Sequence, residues 1–463
     1  MTIDALKAAI AGSVITQADP GFAGQRDALI WNGRKPAALP RIIVRAANVA
    51  DVQEAVRFAA RAGMPVSARG TGHNFSGIAL QEGMVIDLSR LDHLRIDAAA
   101  GTAEVGPGMR NGAMAEALSA AGFAFPLGHC ASVSLSGYLL GGGFGWNTAE
   151  WGMACQSVLA ADVVLASGEQ VTVSATSHPD LFWALRGGGP MVPGIVVGYR
   201  LALKPFRAGM MQQIRLYPLD RIDEVARWMQ GVMAVAPQSV EFTAVLQTAS
   251  APFPPAKVIV AIATVFAADA AEATAALEGV ALWAPAGPLE LIGPMPVTYG
   301  GMYAATAQGT PDGARYLTDA VWSHEPHLLF ARVAAAIARA PSHLDHAILN
   351  VLPAKSPALE RRADAALSTV AQGFAAVYSI WTDSDEDAVH TDWLRQTADT
   401  LAPLALGYYV GETDLARPER LAQCYAPEVW ARLHMVRGCY DPAGLFRRAL
   451  PVTLAPGFAI AAE

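Results

Sequence analysis

The sequence predicts an α+β protein of two or three domains, and three observations carry that expectation. The chain is 463 residues long, well past the roughly 250–300 residues at which one core stops growing. Residues 1–205 alternate short strands, helices and glycine-rich turns, as a small α/β lobe does. From residue 206 the texture changes to longer strands separated by alanine-rich helices. A mixed or antiparallel sheet covered by helices on one face is the economical architecture for that region. The expected division is 1–205, 206–410, and a C-terminal segment, 411–463, that returns to the first lobe.

Composition narrows the function classes. Hydrophobic residues make up 53% of the chain and charged residues 16%, enough apolar matter for sizeable cores. The formal net charge is -8, from 33 Lys+Arg against 41 Asp+Glu, which argues against nucleic acid or an anionic membrane as partner. No uncharged apolar stretch reaches the roughly eighteen residues of a membrane span. The N-terminus has an early Asp4 and no basic leader region, so a secretory signal is not expected and the protein is expected in the cytoplasm, as a monomer or a homodimer. Cys130, Cys155, Cys424 and Cys439 lie far apart without metal-ligand spacing, and are expected to be thiols.

Along the chain, residues 3–12 read as a short helix and 41–45 as a strand. Asn48 is an N-cap, and Val52, Ala55, Val56, Phe58, Ala59 and Ala60 form the apolar face and flank of the helix it starts. Gly63 ends that helix, and strand 66–68 delivers a glycine loop. Strands follow at 84–88 and 102–105, a helix at 111–121, a hairpin of 158–166 with 170–174, and a strand at 194–203. In the second region strands are expected at 212–216, 240–246, 258–265, 347–351 and 374–381. Helices are expected at 222–235, 267–277 and 331–340. Leu433, Val436, Tyr440 and Phe446 mark the terminal helices.

Three glycine-rich runs, 70–77, 137–145 and 187–194, exceed what turns alone require. Glycine permits positive φ and close backbone approach, and consecutive N–H groups then form an anion-binding nest. None of the runs has the Gly-x-Gly-x-x-Gly spacing between strand and helix of a Rossmann unit, and no Gly-Lys-Ser/Thr loop is present. A long diphosphate ligand lying along several loops, such as FAD, remains.

Arg69-Gly70-Thr71-Gly72-His73, with Asn74 and Gly77, resembles the diphosphate loop of FAD-linked oxidases with the p-cresol methylhydroxylase-type domain. It is most like the berberine bridge enzyme-like branch, where Arg-Gly-Gly-Gly-His is usual. Gly-x-Cys-x-x-Val at 128–133, Gly-Gly-Gly-Phe-Gly at 141–145, Trp-Gly-Met at 151–153 and Ala-Leu-Arg-Gly-Gly-Gly at 184–189 follow in that branch's order. The resemblance spans nearly the whole chain, ending with Tyr-Asp-Pro at 440–442 and Leu445-Phe446. It implies a two-lobed FAD-binding domain plus an α/β substrate domain. It implies covalent FAD, with His73 bonded to the flavin 8α-methyl and Cys130 to C6. A thiolate is a suitable nucleophile for the second bond. The cofactor positions carried over are Arg69, Gly70, Thr71, Gly72, His73, Asn74, Gly77, Gly128, Cys130, Val133, Ser136, Gly137, Gly141, Gly142, Gly145, Gly152 and Ile195. The resemblance also places Val133 at the family's oxygen-gating position, where a small branched residue goes with oxidases, so it implies O2 as acceptor.

The catalytic residues depart from the pattern. Where the family has Tyr-x-Asn-Tyr-x-Asp, this chain has Tyr409-Val410-Gly411-Glu412-Thr413-Asp414. On an extended strand Tyr408, Val410 and Glu412 would share a face. Tyr408 and Glu412 are therefore the candidate catalytic pair, Glu412 as a base with a raised pKa. The inserted stretch 353–366 and the divergent 368–373 are expected to alter the substrate wall, His343, Asp345 and His346 to line it, and the strand bearing Trp381 to face the flavin. No metal site is expected. The expected activity is oxidation of a hydroxyl group on a small molecule (a sugar, an aromatic or allylic alcohol, or a natural-product intermediate), with H2O2 as product. The alternatives are oxidative C–C or C–N bond formation and a flavin dehydrogenase with another acceptor.

Overall fold

In the computed structural model, which describes residues 2–446, three parallel strands form the base of the first lobe. Pro40–Arg45, Gly83–Asp87 and Val66–Arg69 lie side by side, with Ser13–Thr16 antiparallel at the outer edge. The crossover helix Val49–Arg61 is capped by Asn48, whose side chain accepts the Asp51 N–H at 3.0 Å. Its apolar face packs Val52, Ala55, Val56 and Ala59 against Ile42, Val44 and Ile86. Strand Val66–Arg69 therefore releases its loop at the carboxyl end of a parallel sheet, where open α/β sheets place ligands. A second, antiparallel sheet runs in the order Leu94–Asp97, Thr102–Val105, Ile195–Ala202, Val158–Val164, Gln170–Ser174.

The second lobe is built on an eight-stranded antiparallel sheet. Its order is Glu290–Pro296, Gly209–Pro218, Lys257–Ala267, Val240–Thr248, His346–Val351, Gly373–Trp381, Arg315–Ser323, Gly407–Tyr408. Side chains alternate between its faces. In Val240–Thr248, Val240, Phe242, Ala244 and Leu246 are buried in the core, while Glu241, Thr243, Val245 and Gln247 face a cavity. Helices Ile222–Val235, Ala270–Ala281, Pro326–Ile337 and Asp387–Leu401 pack against the sheet. Strands Glu290–Pro296 and Arg315–Ser323 and helices Tyr299–Gln308 and Asp387–Leu401 were not anticipated from the sequence.

Helix Pro427–Tyr440 returns to the first lobe. Arg432 lies 3.9 Å over the Trp183 ring, the Tyr440 hydroxyl donates to Asp180 at 2.8 Å, and Arg437 donates to the Met191 carbonyl at 2.8 Å. Leu445 accepts the Val66 N–H. Residues 447–463 of the expected terminal segment lie outside the described residues.

A buried ion pair fixes the chain between sheet and return helix. Arg420 donates to Asp319 at 2.7 Å, with both side chains nearly fully enclosed. Thr413 donates to the other Asp319 oxygen. The turn carrying residues 409–412 is thus anchored just behind its last residue. Removing one partner of such a pair leaves an uncompensated buried charge and costs about 3–5 kcal/mol. Asp319→Ala is expected to lower unfolding stability by that amount in a denaturant titration and to loosen the Glu412 turn; a loss under about 1 kcal/mol would contradict this account.

Candidate active site and cofactor cleft

A cavity of about 1320 Å³ lies between the two lobes. Single-ligand pockets run to roughly 300–1,000 Å³, so this one has room for a large cofactor and a second molecule. The first lobe contributes loop 66–75, stretch 128–141 and residues 189–196; the second contributes the inner face of its sheet.

The loop after Val66–Arg69 is held by its own arginine. Arg69 Nη1 pairs with Asp87 at 2.9 Å, Nε donates to the Leu29 carbonyl at 2.9 Å, and Nη2 to the Thr71 carbonyl at 3.2 Å. Its charge is therefore compensated, and Arg69 braces the loop instead of offering a free cation to phosphate. Gly72 takes φ +71°, and an added Cβ would sit 2.0 Å from the Leu29 oxygen. Beyond it, the His73 ring stacks on Trp31 with centroids 5.3 Å apart. Its Nδ1 lies 3.1 Å from Thr71 Oγ1 and its Nε2 2.8 Å from Ser132 Oγ. Burial pushes the imidazole down to about 4, leaving it neutral.

The Cys130 stretch hangs on the start of helix Asn111–Ala120. Asn111 N–H donates to Val133 O at 2.9 Å, Gly112 N–H to Ala131 O at 3.0 Å, and Asn111 Nδ2 to Cys130 O at 3.1 Å. Cys130 Sγ lies 3.4 Å from Ser132 Oγ.

On the second lobe, Glu412 and Tyr378 meet. The Tyr378 hydroxyl donates to Glu412 Oε2 at 3.0 Å, and His346 stacks on the Tyr378 ring at 4.8 Å. Loss of solvation pushes Glu412 up to about 7, against the opposing pull of the Tyr378 hydrogen bond. A second carboxyl, Glu241, also lines the cavity and is pushed up to about 8 by burial. His129 and His346 are pushed down to about 4 for the same reason.

Residues 40–174 match the family model described as FAD binding domain. Over 426 residues the chain is 28% identical to the FAD-linked oxidoreductase ptmO of Penicillium ochrochloron, covering 92% of this chain and 93% of the relative. It is 36% identical over 184 residues, 39% of each chain, to the (R)-6-hydroxynicotine oxidase of Paenarthrobacter nicotinovorans. Among solved structures, BBE-like 1 of Physcomitrella patens superimposes with a TM-score of 0.83 at 19% identity, covering 98% of this chain and 100% of that one. The chain is an FAD-linked oxidoreductase with the berberine bridge enzyme-like fold.

The cavity of this oxidoreductase fits the cofactor. Asn111, fully buried behind the wall, holds the Cys130 carbonyl through its Nδ2, which fixes the Cys130 stretch beside the cavity. A Cβ on Gly137 would project into open space at the same wall, so the backbone there stays bare for close approach. Of the positions expected from the sequence, Arg69, Gly70, Thr71, Gly72, His73, Asn74, Gly128, Cys130, Val133, Ser136, Gly137, Gly141 and Ile195 line the cavity. Gly77, Gly142, Gly145 and Gly152 do not. Gly77 abuts Pro36, Gly142 abuts Leu367, Gly145 the Leu127 carbonyl and Gly152 the Gln156 side chain, so each serves backbone packing.

Several expectations about the substrate side need correction. Tyr408 does not reach the cavity: strand Gly407–Tyr408 ends there, and its ring lies under the Arg420 guanidinium at 3.6 Å. The chain then turns, Glu412 N–H donating to Tyr409 O at 3.0 Å, so strand parity does not carry from 408 to 412. Trp381 is buried on the opposite face, stacked on His390 at 4.6 Å and donating to Asp387; Tyr378 on the same strand lines the cavity instead. Of the trio near 345, His343 and His346 line the cavity, whereas Asp345 is enclosed, accepting the Ile380 and Ser342 N–H groups. Segments 353–366 and 368–373 form no part of the wall. Asp364 instead pairs with Arg186 at 2.7 Å, and Thr369 donates to Cys424 O. Cys155 is buried, its thiol pushed up to about 12. Among the described residues no group of three or more metal-ligating side chains converges, and no helix is long and apolar enough to cross a membrane.

Gly72→Ala tests the loop. The left-handed backbone alone costs about 1–2 kcal/mol for an alanine, before the clash with Leu29. The variant is expected to purify with several-fold less FAD per chain, read from flavin absorbance. Full flavin content would show that the loop is not the cofactor seat.

Proposed function

We propose that this oxidoreductase oxidises a hydroxyl group of a small organic molecule, with Glu412 as the base and FAD tethered through His73 and Cys130. When bound, FAD supplies the acceptor for the substrate's hydride and passes the electrons to O2, giving H2O2. The carrying observation is the Glu412 carboxyl at the cavity wall, 3.0 Å from the Tyr378 hydroxyl. A general base works best with a pKa near the operating pH, and Glu412 is pushed up to about 7. Tyr378 donates to the ionised carboxylate and so orients it and keeps it available. As the substrate's O–H proton passes to Glu412, the carbon–hydrogen bond is free to break toward the acceptor.

The tethers are supported by two features of the first lobe. His73 and Cys130 line one cavity, joined through Ser132, and the His73 ring is neutral, which leaves a nitrogen lone pair for bond formation. Val133 lines the same wall, and a relative named as an oxidase supports O2 as acceptor.

Two measurements test the base. Glu412→Gln is expected to slow anaerobic flavin reduction by substrate at least about 100-fold, the lower range for loss of a general base, while substrate affinity changes only a few-fold. An unchanged reduction rate would sink the assignment. In the wild type, reduction should accelerate as pH rises through about 7, because the base must be deprotonated. Tyr378 lowers the Glu412 pKa, so Tyr378→Phe should move that rising limb to higher pH. A limb that stays put or moves to lower pH would contradict the pairing.

A further inference from the structure

We propose that Ser132 is the positioning residue that joins His73 and Cys130 into one hydrogen-bonded string and relays the proton each gives up as its bond to flavin forms. The inference rests on the covalent reading above. The Ser132 hydroxyl lies 2.8 Å from His73 Nε2 and 3.4 Å from Cys130 Sγ. At the far side of the ring, Nδ1 faces Thr71 Oγ1 at 3.1 Å, and that oxygen already accepts the Ser134 N–H at 2.9 Å. The string therefore runs from Ser134 through Thr71, His73 and Ser132 to Cys130, crossing both cofactor segments.

A hydroxyl has one hydrogen to donate and two lone pairs to accept with, and a neutral imidazole has a single N–H. Two orders are consistent with that count. In one, Nε2–H donates to Ser132, Ser132 donates to the sulfur, and the Nδ1 lone pair faces the Thr71 hydroxyl. In the other, Nδ1–H donates to Thr71, Ser132 donates to Nε2, and the Cys130 thiol donates to Ser132. The first order keeps the lone pair on Nδ1, where the Thr71 hydrogen bond must part before the nitrogen bonds to carbon; the second gives the thiol proton a route away from sulfur. When Nδ1 bonds to carbon, the ring carries a surplus proton on Nε2; Ser132 relays it away by passing on its own hydroxyl hydrogen, and the proton ends in H2O2. Each tether forms one C–N or C–S bond at the expense of one flavin C–H and one N–H or S–H. The two electrons enter the flavin and leave to O2, which with the two protons gives H2O2.

Cys130 is held for this role by a second, independent contact. Buried Asn111 grips the Cys130 carbonyl at 3.1 Å, and Cys130 itself lines the cavity. The stretch is thus presented toward a ligand, with Ser132 between the two nucleophiles.

The test uses the full chain purified with its FAD. Total FAD is read by absorbance after unfolding, and the His73- and Cys130-linked peptides are quantified by mass spectrometry. Ser132→Ala is expected to keep wild-type total FAD while the Cys130-linked peptide falls at least tenfold and the His73-linked peptide by a smaller factor. Ser132→Thr, which retains the hydroxyl, should restore both. Wild-type levels of both linked peptides in Ser132→Ala, or no restoration by Ser132→Thr, would overturn the role of Ser132. So would a fall in total FAD that matches the fall in linked FAD, since that marks a merely structural role. A wild-type chain with no linked peptide would instead overturn the tether reading itself, and this inference with it.

Discussion

The Arg69–Asp87 ion pair is the contact on which the site depends. It joins the ends of two neighbouring parallel strands, and the remaining nitrogens of the same guanidinium hold the carbonyls of Leu29 and Thr71. A planar fork with five donors suits this task, since it fixes several acceptors in one geometry. The loop can then turn sharply at Gly72 and set the His73 ring against Trp31. From there the bonds through Thr71 and Ser132 reach the second cofactor segment. The brace fixes the start of the turn, and the Trp31 N–H on the Gly72 carbonyl and the contacts of His73 with Trp31, Thr71 and Ser132 hold the rest.

The chemistry of the cleft follows from low polarity more than from stored charge. The guanidinium nearest the cofactor loop is already paired, and three histidines of the wall are held neutral by burial. Glu241 and Glu412 are both pushed toward neutral pH. In such surroundings burial raises a carboxyl, and a single hydrogen bond, like that from Tyr378, partly offsets the rise. Proton transfers in the site are therefore set by local donors and acceptors and little by long-range fields.

What the sequence disclosed depended on how local the constraint was. The loop around His73 was legible because only glycine tolerates its backbone at position 72, and because the preceding strand and capped helix have plain patterns. Asn48 as N-cap and the helix at 222–235 were found from neighbouring residues alone. Strand Arg315–Ser323 was hidden because it is buried on both faces, so the alternation that betrays a strand vanishes. Its Asp319 reads as an interruption until Arg420, far along the chain, supplies the partner. Tyr378 was missed and Tyr408 misplaced for a related reason. Which face of a strand meets the cavity is decided by pairing across the sheet, and the turn at 409–412 breaks the parity that would extrapolate from one residue to the next.

The alternation of the large sheet has a consequence for how such a protein can diverge. Phe242 and Glu241 are adjacent in sequence, yet one is sealed in the core and the other looks into the cleft. The alternate residues of Gly209–Pro218, Val240–Thr248, Lys257–Ala267 and His346–Val351 that face the cleft can therefore change their chemistry while the intervening ones keep the lobe folded. Selection for a new substrate and selection for stability act on interleaved but separate sets of positions. The glycine-rich loops of the first lobe have less such freedom, because Gly72 needs its left-handed backbone and Gly137 lies bare at the cavity wall. A lineage built on this plan would keep its redox apparatus nearly fixed while the opposite wall drifts from one substrate to another.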